Sequence, residues 1–164
     1  ALARYGLLLL PGAELSYNDV NPLLAAHAVA IGLRSFVPVD LGIETAMGAA
    51  RDKGAAILAA HPYRPGTGPL HPRTTQRFGA DWRALAPLVD RWELYNRCEA
   101  FSWVAEAGLP VAASGDFHRP EHLWGWKTVL GCEKDARSVV ECLRSAGPVY
   151  LARIEQRTAD RAAA

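Results

Sequence analysis

Cysteine is scarce and unpatterned in this chain. There are three, Cys98, Cys132 and Cys142, an odd number with no Cys-x-x-Cys spacing, which argues against a disulfide scaffold and a zinc ribbon. They read as structural, reduced thiols of a cytoplasmic protein. Long apolar runs are missing as well. The stretch Leu7 to Leu10 falls far short of the roughly 20 residues a membrane span needs, and it has no basic leader of the signal-peptide kind. The expectation is a soluble protein without a membrane partner. No cluster of basic residues stands out, and the formal net charge is +1, so charge alone gives no case for a nucleic-acid or membrane surface. A P-loop, a nucleophile elbow and a Ser-His-Asp order are also absent, which weakens P-loop and nucleophilic mechanisms. A starting Met is lacking too. Ala1 to Gly6 reads as the last turn of a helix closed by Gly6, so the sequence is expected to be cut upstream.

What remains is a chain of ordinary globular composition, 164 residues with 50% hydrophobic and 21% charged side chains, enough for one domain. The expected domain is 1–154, followed by a polar, alanine-rich tail over 155–164. Short apolar runs read as strands at Gly6–Leu10, Ala28–Leu33, Ala55–Ala60, Trp92–Tyr95, Val111–Ala113, Thr128–Leu130 and Pro148–Leu151. Between them lie three longer amphipathic patterns. One is capped by Asp40, with Ile43, Ala46, Met47 and Ala50 on one face. Another is capped by Asp81, and a third runs from Asp135 to Ser145. A shorter helix is expected over Glu99–Ala107, and a long Pro-, Gly- and Arg-rich loop over Tyr63–Gly79. Alternating strands and helices argue for an α/β fold with a mainly parallel sheet, closed or open.

Metal-capable side chains fall at strand ends in this reading. Glu14 follows the first strand, His61 the Ala55–Ala60 strand, and Asp116 and His118 the Val111–Ala113 strand. The carboxyl ends of strands are where α/β folds build their sites. Imidazole with carboxylate binds Zn²⁺, Mn²⁺ or Fe²⁺, and clustered metals acidify water and clamp phosphoryl oxygens. Each residue alone also has an ordinary explanation: a hydrogen-bonding loop His, a turn Asp after Gly115, a capping Glu. Their coincidence at one rim is what suggests a shared site.

Five elements in order strengthen that suggestion. Pro11-Gly12-Ala13-Glu14, His27 after it, Ala60-His61-Pro62-Tyr63-Arg64, Glu93-Leu94-Tyr95-Asn96 and Ser114-Gly115-Asp116-Phe117-His118 resemble, over about residues 6–153, the polymerase-and-histidinol-phosphatase (PHP) family of metal-dependent phosphoesterases. The resemblance implies a distorted TIM-like (β/α) barrel, here incomplete at its N-terminus. It implies two or three divalent metals (Mn, Zn or Fe) held by Glu14, His27, His61, Asp116 and His118, with Asp116 and His118 also catalytic. It further implies hydrolysis of a phosphoester, a small phosphomonoester or nucleotide, by metal-activated hydroxide. Two departures stand out: the family's opening His-x-His element is missing, and Gly115 is inserted before the Asp.

Arg64 and Arg119 are candidate phosphate grips through the guanidinium fork, and His122 and His71 are candidate pocket residues. Glu93 either orients a ligand or pairs with a core arginine. Trp126 is expected to pack, and Trp124 to pack or to stack on a base or sugar. Two other readings compete: a PHP-like scaffold that binds a partner without catalysis, and an amidohydrolase-like metal hydrolase. A nucleic-acid partner is compatible with the family but has no basic, aromatic groove in the sequence to support it.

Overall fold

In the computed structural model the described residues are 2–66 and 75–155. The loop residue His71 and residues 156–164 of the expected tail lie outside them. The chain opens with a single helical turn, α1 (Leu2–Tyr5), ended by Gly6 at φ 63°. Gly6 to Leu10 is not a strand. Leu7 and Leu9 are exposed, and the first strand, β1 (Gly12–Tyr17), begins only after Pro11. The other strands are β2 (Ala26–Ile31), β3 (Ala56–Ala60), β4 (Arg91–Asn96), β5 (Glu99–Ala100), β6 (Val111–Ser114), β7 (Gly125–Val129) and β8 (Tyr150–Ile154).

These strands correct the expectation of a TIM-like barrel. Six of them form one sheet in the order β1-β2-β3-β4-β5, with β6 also on β4, while β7 and β8 make a separate pair. Among the described residues the sheet does not close. The physical reason lies in its direction changes. A (β/α) barrel needs parallel neighbours throughout, but β1–β2, β2–β3 and β4–β5 are antiparallel, and only β3–β4 and β4–β6 are parallel. The sheet is therefore mixed rather than mainly parallel.

One face of this sheet is the core. Leu15, Ala28, Ala30, Ile57 and Ala59 point to that side and are buried against Ala46, Met47 and Ala50 of helix α2 (Ile43–Asp52). Three of these eight side chains are larger than alanine, so helix and sheet approach closely. Burial of each larger one contributes roughly 1.5–3 kcal/mol. Gly42, not Asp40, caps α2. Helix α3 (Arg77–Leu85) starts before Asp81, which sits inside it at a kink. It adds Phe78, which meets Trp92 edge-on, and Trp92 in turn meets Trp103. The expected Glu99–Ala107 helix is shorter: β5 takes its start, leaving α4 (Ser102–Glu106).

The opposite face carries Glu14, His27, Val29, Leu58, Ala60, Arg91, Glu93, Ala112 and Ser114, by the strand registers. Its lower part is covered by helix α5 (Ala136–Arg144) and β7. Arg91 reaches across to the carbonyls of Cys142, Leu143 and Gly147 at the end of α5. Thr128 of β7 exchanges hydrogen bonds with the backbone of Ala113. The upper part stays open and forms the site.

Candidate metal centre

Three of the five residues implied as ligands converge. The ligand atoms of Glu14, His27 and His61 all lie within 4.8 Å of one another. Glu14 Oε1 is 2.9 Å from His27 Nδ1 and 3.9 Å from His61 Nε2, and the two imidazoles stand edge-to-face at 5.1 Å. Glu14 comes from within β1, not from a loop after a strand. Its partner on β2 is Val29, and His27 pairs with Ser16, so the β1–β2 ladder itself places both side chains on the open face. His27 lies beside Ala60, the residue just before His61.

Each imidazole turns one nitrogen inward and anchors the other. His27 Nε2 is 3.0 Å from Asn18 Oδ1, and His61 Nδ1 is 3.1 Å from Thr75 Oγ1. An inward nitrogen with an outer hydrogen bond is how metal-binding histidines are held and oriented. The donor set, one carboxylate with two imidazoles, suits a borderline divalent ion such as Zn²⁺, Mn²⁺ or Fe²⁺. The electrostatics agree. Hydrogen bonds from His27, and then His61, hold the Glu14 carboxyl well below the usual carboxylate range. Burial pulls the His61 pKa down, but the Glu14 hydrogen bond and the charges of Glu93 and Asp116 outweigh it, and the net direction is up. The centre attracts positive charge.

A cavity of about 330 Å³ opens beside this group, lined by Glu14, His61, Glu93, Asn96, Ser114, Asp116, Phe117 and His118 among others. Asp116 and His118 thus share the cavity but turn toward each other, not into the Glu/His/His group. Asp116 Oδ1 is 3.2 Å from His118 Nδ1, and Asp116 Oδ2 accepts a 2.6 Å bond from Arg97. Arg97 also donates to the Asp116 carbonyl and lies 3.1 Å from His118 Nδ1. The rest of the His118 loop is tied through His122, whose Nδ1 accepts the His118 N–H at 2.9 Å.

Both strand ends that carry these candidate residues are strained. His61 has φ 31° and Asp116 φ 39°, left-handed values for non-glycine residues, each costing about 1–3 kcal/mol. Such outliers persist only where the surroundings over-determine them. Glu93 is part of those surroundings. It is 1% exposed, and its carboxylate accepts from the His61 N–H (2.6 Å), Asn96 Nδ2 (2.8 Å) and Ser114 Oγ. Among the described residues it makes no ion pair with a core arginine. Burial raises its pKa, and hydrogen bonds from Ser114, Asn96 and the His61 N–H oppose that rise. Gly115, the inserted residue, is needed here because a Cβ would stand 2.8 Å from the His122 carbonyl.

The remaining candidates lie outside the cavity lining. The Arg64 guanidinium sits over the Trp103 ring at 5.4 Å, and Arg119 is exposed ahead of the Pro120–Leu123 turn. Trp126 stacks on Tyr95 at 4.3 Å, while Trp124 borders a neighbouring cleft of about 620 Å³ that also touches Arg97 and His122. Asn18, Thr75 and Arg97 carry no signal in the sequence. Asn18 becomes a partner of His27 only through the β1–β2 hairpin register.

No family model and no curated protein matches the chain. Among solved structures, it is similar to a two-domain protein from Bacteroides vulgatus containing a predicted PHP-like metal-dependent phosphoesterase. The TM-score is 0.67 and the identity 18%, over 93% of this chain and 47% of that one. The likeness establishes the fold: the chain spans about half of that protein. No helix among the described residues is long and apolar enough to cross a membrane.

Proposed function

We propose that this domain is a metal-dependent hydrolase that cleaves a small phosphoester, in its substrate class a phosphomonoester or nucleotide. The observation that carries the reading is the inward convergence of Glu14, His27 and His61, with both outer imidazole nitrogens anchored, at one wall of a cavity whose other wall is Asp116 and His118. The likeness to the PHP-like protein supports the same chemistry.

Glu14, His27 and His61 would hold a divalent ion. When bound, such an ion polarises a phosphoryl oxygen and brings the pKa of a water toward neutrality. Across the cavity, His118 has Nδ1 engaged by Asp116 and Arg97, which leaves Nε2 to pass a proton to the departing oxygen. Asp116 orients that imidazole, and Arg97 balances its charge. Asp116 and His118 would ligate further ions only by giving up the Arg97 contact, so the arrangement favours proton handling at this wall.

The test is hydrolysis of a phosphomonoester panel by the protein loaded with Mn²⁺ or Zn²⁺. Turnover that falls on Glu14→Gln is the expected result. Metal uptake without turnover of any ester, in the chain or in a longer form that includes it, would refute the proposal. Cleavage of amides instead would move the site to the amidohydrolase-like class.

A further inference from the structure

The two left-handed turns that present His61 and Asp116 come from different strands, β3 and β6, with β4 between them. One buried side chain on β4 touches both. Glu93 Oε2 accepts the His61 N–H at 2.6 Å. Its Oε1 accepts the Ser114 hydroxyl, and Ser114 Oγ in turn receives the Asp116 N–H at 3.4 Å. Asn96 Nδ2 fixes the carboxylate from a third side at 2.8 Å. A single rigid acceptor thereby links the backbone of the two strand ends on which candidate site residues ride. Glu93 supplies the acceptor for the part-buried His61 N–H, so removing its carboxylate would cost that donor its partner.

We propose that Glu93 is a positioning residue that sets the His61 and Asp116 turns in their site geometry before any ion or substrate arrives. The claim rests on the metal reading for its functional consequence, but not for its geometry. Glu93 touches neither the inward His61 Nε2 nor the Glu14 carboxylate in the contacts above. It acts through the His61 backbone and through Ser114. Glu14 and His27 should be indifferent to it, since the β1–β2 ladder holds them.

Three variants separate the arms of this network. Glu93→Leu fills similar space and removes every acceptor. Glu93→Gln keeps one oxygen and should keep the His61 arm by turning its amide oxygen to that N–H. Ser114→Ala cuts only the Asp116 arm. Two readouts are paired: amide proton shifts in the metal-free protein, and Co²⁺ titration followed by the visible ligand-field spectrum. The expected results are a strongly downfield His61 amide proton that moves upfield in Glu93→Leu and is largely retained in Glu93→Gln, and an Asp116 amide that moves in Ser114→Ala. Co²⁺ affinity should fall about 10–100-fold in Glu93→Leu, the range for partners that orient a ligand, with an altered spectrum and substantial recovery in Glu93→Gln. A purely structural role would lower the melting temperature and leave Co²⁺ affinity and spectrum of the folded protein unchanged; that result overturns the proposal. Should the native protein take up no Co²⁺, the metal reading fails, and the amide shifts still decide the positioning claim. A His61 amide unmoved in Glu93→Leu together with an Asp116 amide unmoved in Ser114→Ala would refute it. If Glu93→Leu does not fold, Ser114→Ala and Glu93→Gln carry the test.

Discussion

The site is built by two different kinds of backbone. Glu14 and His27 sit inside paired strands, where the β1–β2 register decides which way they face. His61 and Asp116 sit just beyond the parallel strands β3 and β6, on left-handed turns that no ladder supports. The first half needs only pairing. The second half needs close packing and a buried carboxylate: Glu93 beneath both turns, Gly115 against the His122 carbonyl and Gly79 against the segment after His61. Ladder-held residues are cheap to place, whereas turn-held ones depend on side chains distant in sequence.

The comparison can be broken at several points. The largest effect should come from Glu14→Gln, which replaces the carboxylate shared by both imidazoles with an uncharged amide. Transition-metal affinity should fall by more than about 100-fold, because even the outer partners of metal ligands are worth 10–100-fold; calorimetric titration with Zn²⁺ measures it. Asp116→Asn should cost about 100-fold or more in phosphoester turnover, the scale of lost acid–base assistance, while binding at the Glu/His/His group stays near native. A non-catalytic scaffold would show no such split between turnover and binding.

Gly79→Ala addresses packing behind the turn-held half. A Cβ there would come within 2.2 Å of the Tyr63 carbonyl and 2.6 Å of Arg64 Cα, both backbone atoms. Denaturant unfolding should show a loss of about 3 kcal/mol. Smallest are the outer partners. Thr75→Ala and Asn18→Ala should each weaken Zn²⁺ binding by about 10-fold, one on each half. Ring nitrogen shifts of His61 should change in the former, and those of His27 in the latter. A change on both histidines in either variant would mean that the halves are not independent.

What could be read from the sequence follows the same division. The β3 and β6 ends are legible because an apolar run stops at His61-Pro62 and another at Ser114-Gly115-Asp116, just where β3 and β6 end. The α2 face, Ile43, Ala46, Met47 and Ala50, is equally plain from its spacing. The β1 strand was not. The run Leu7–Leu10 is more apolar than Gly12–Tyr17, yet the pairing partner β2 selects the latter, with Glu14 in its middle. Hydrophobicity marks burial, and β1 is an edge strand whose residues are mostly exposed or half-buried. The barrel expectation failed for a related reason. Strand direction is set by how each connection returns, and the antiparallel β1–β2–β3 run reads, one strand at a time, like any parallel set. Arg97, Thr75 and Asn18 escaped because each meets its partner from 9 to 19 residues away, through turns that carry no local signature.

The most direct test of the central claim, that Glu14, His27 and His61 hold a divalent ion, is the metal content of the purified protein by elemental mass spectrometry beside that of His61→Ala. The account predicts about one transition-metal ion or more per chain in the native protein, at the occupancy of a structured protein site, and its loss in the variant. No bound metal in the native protein, or equal content in both, would contradict it.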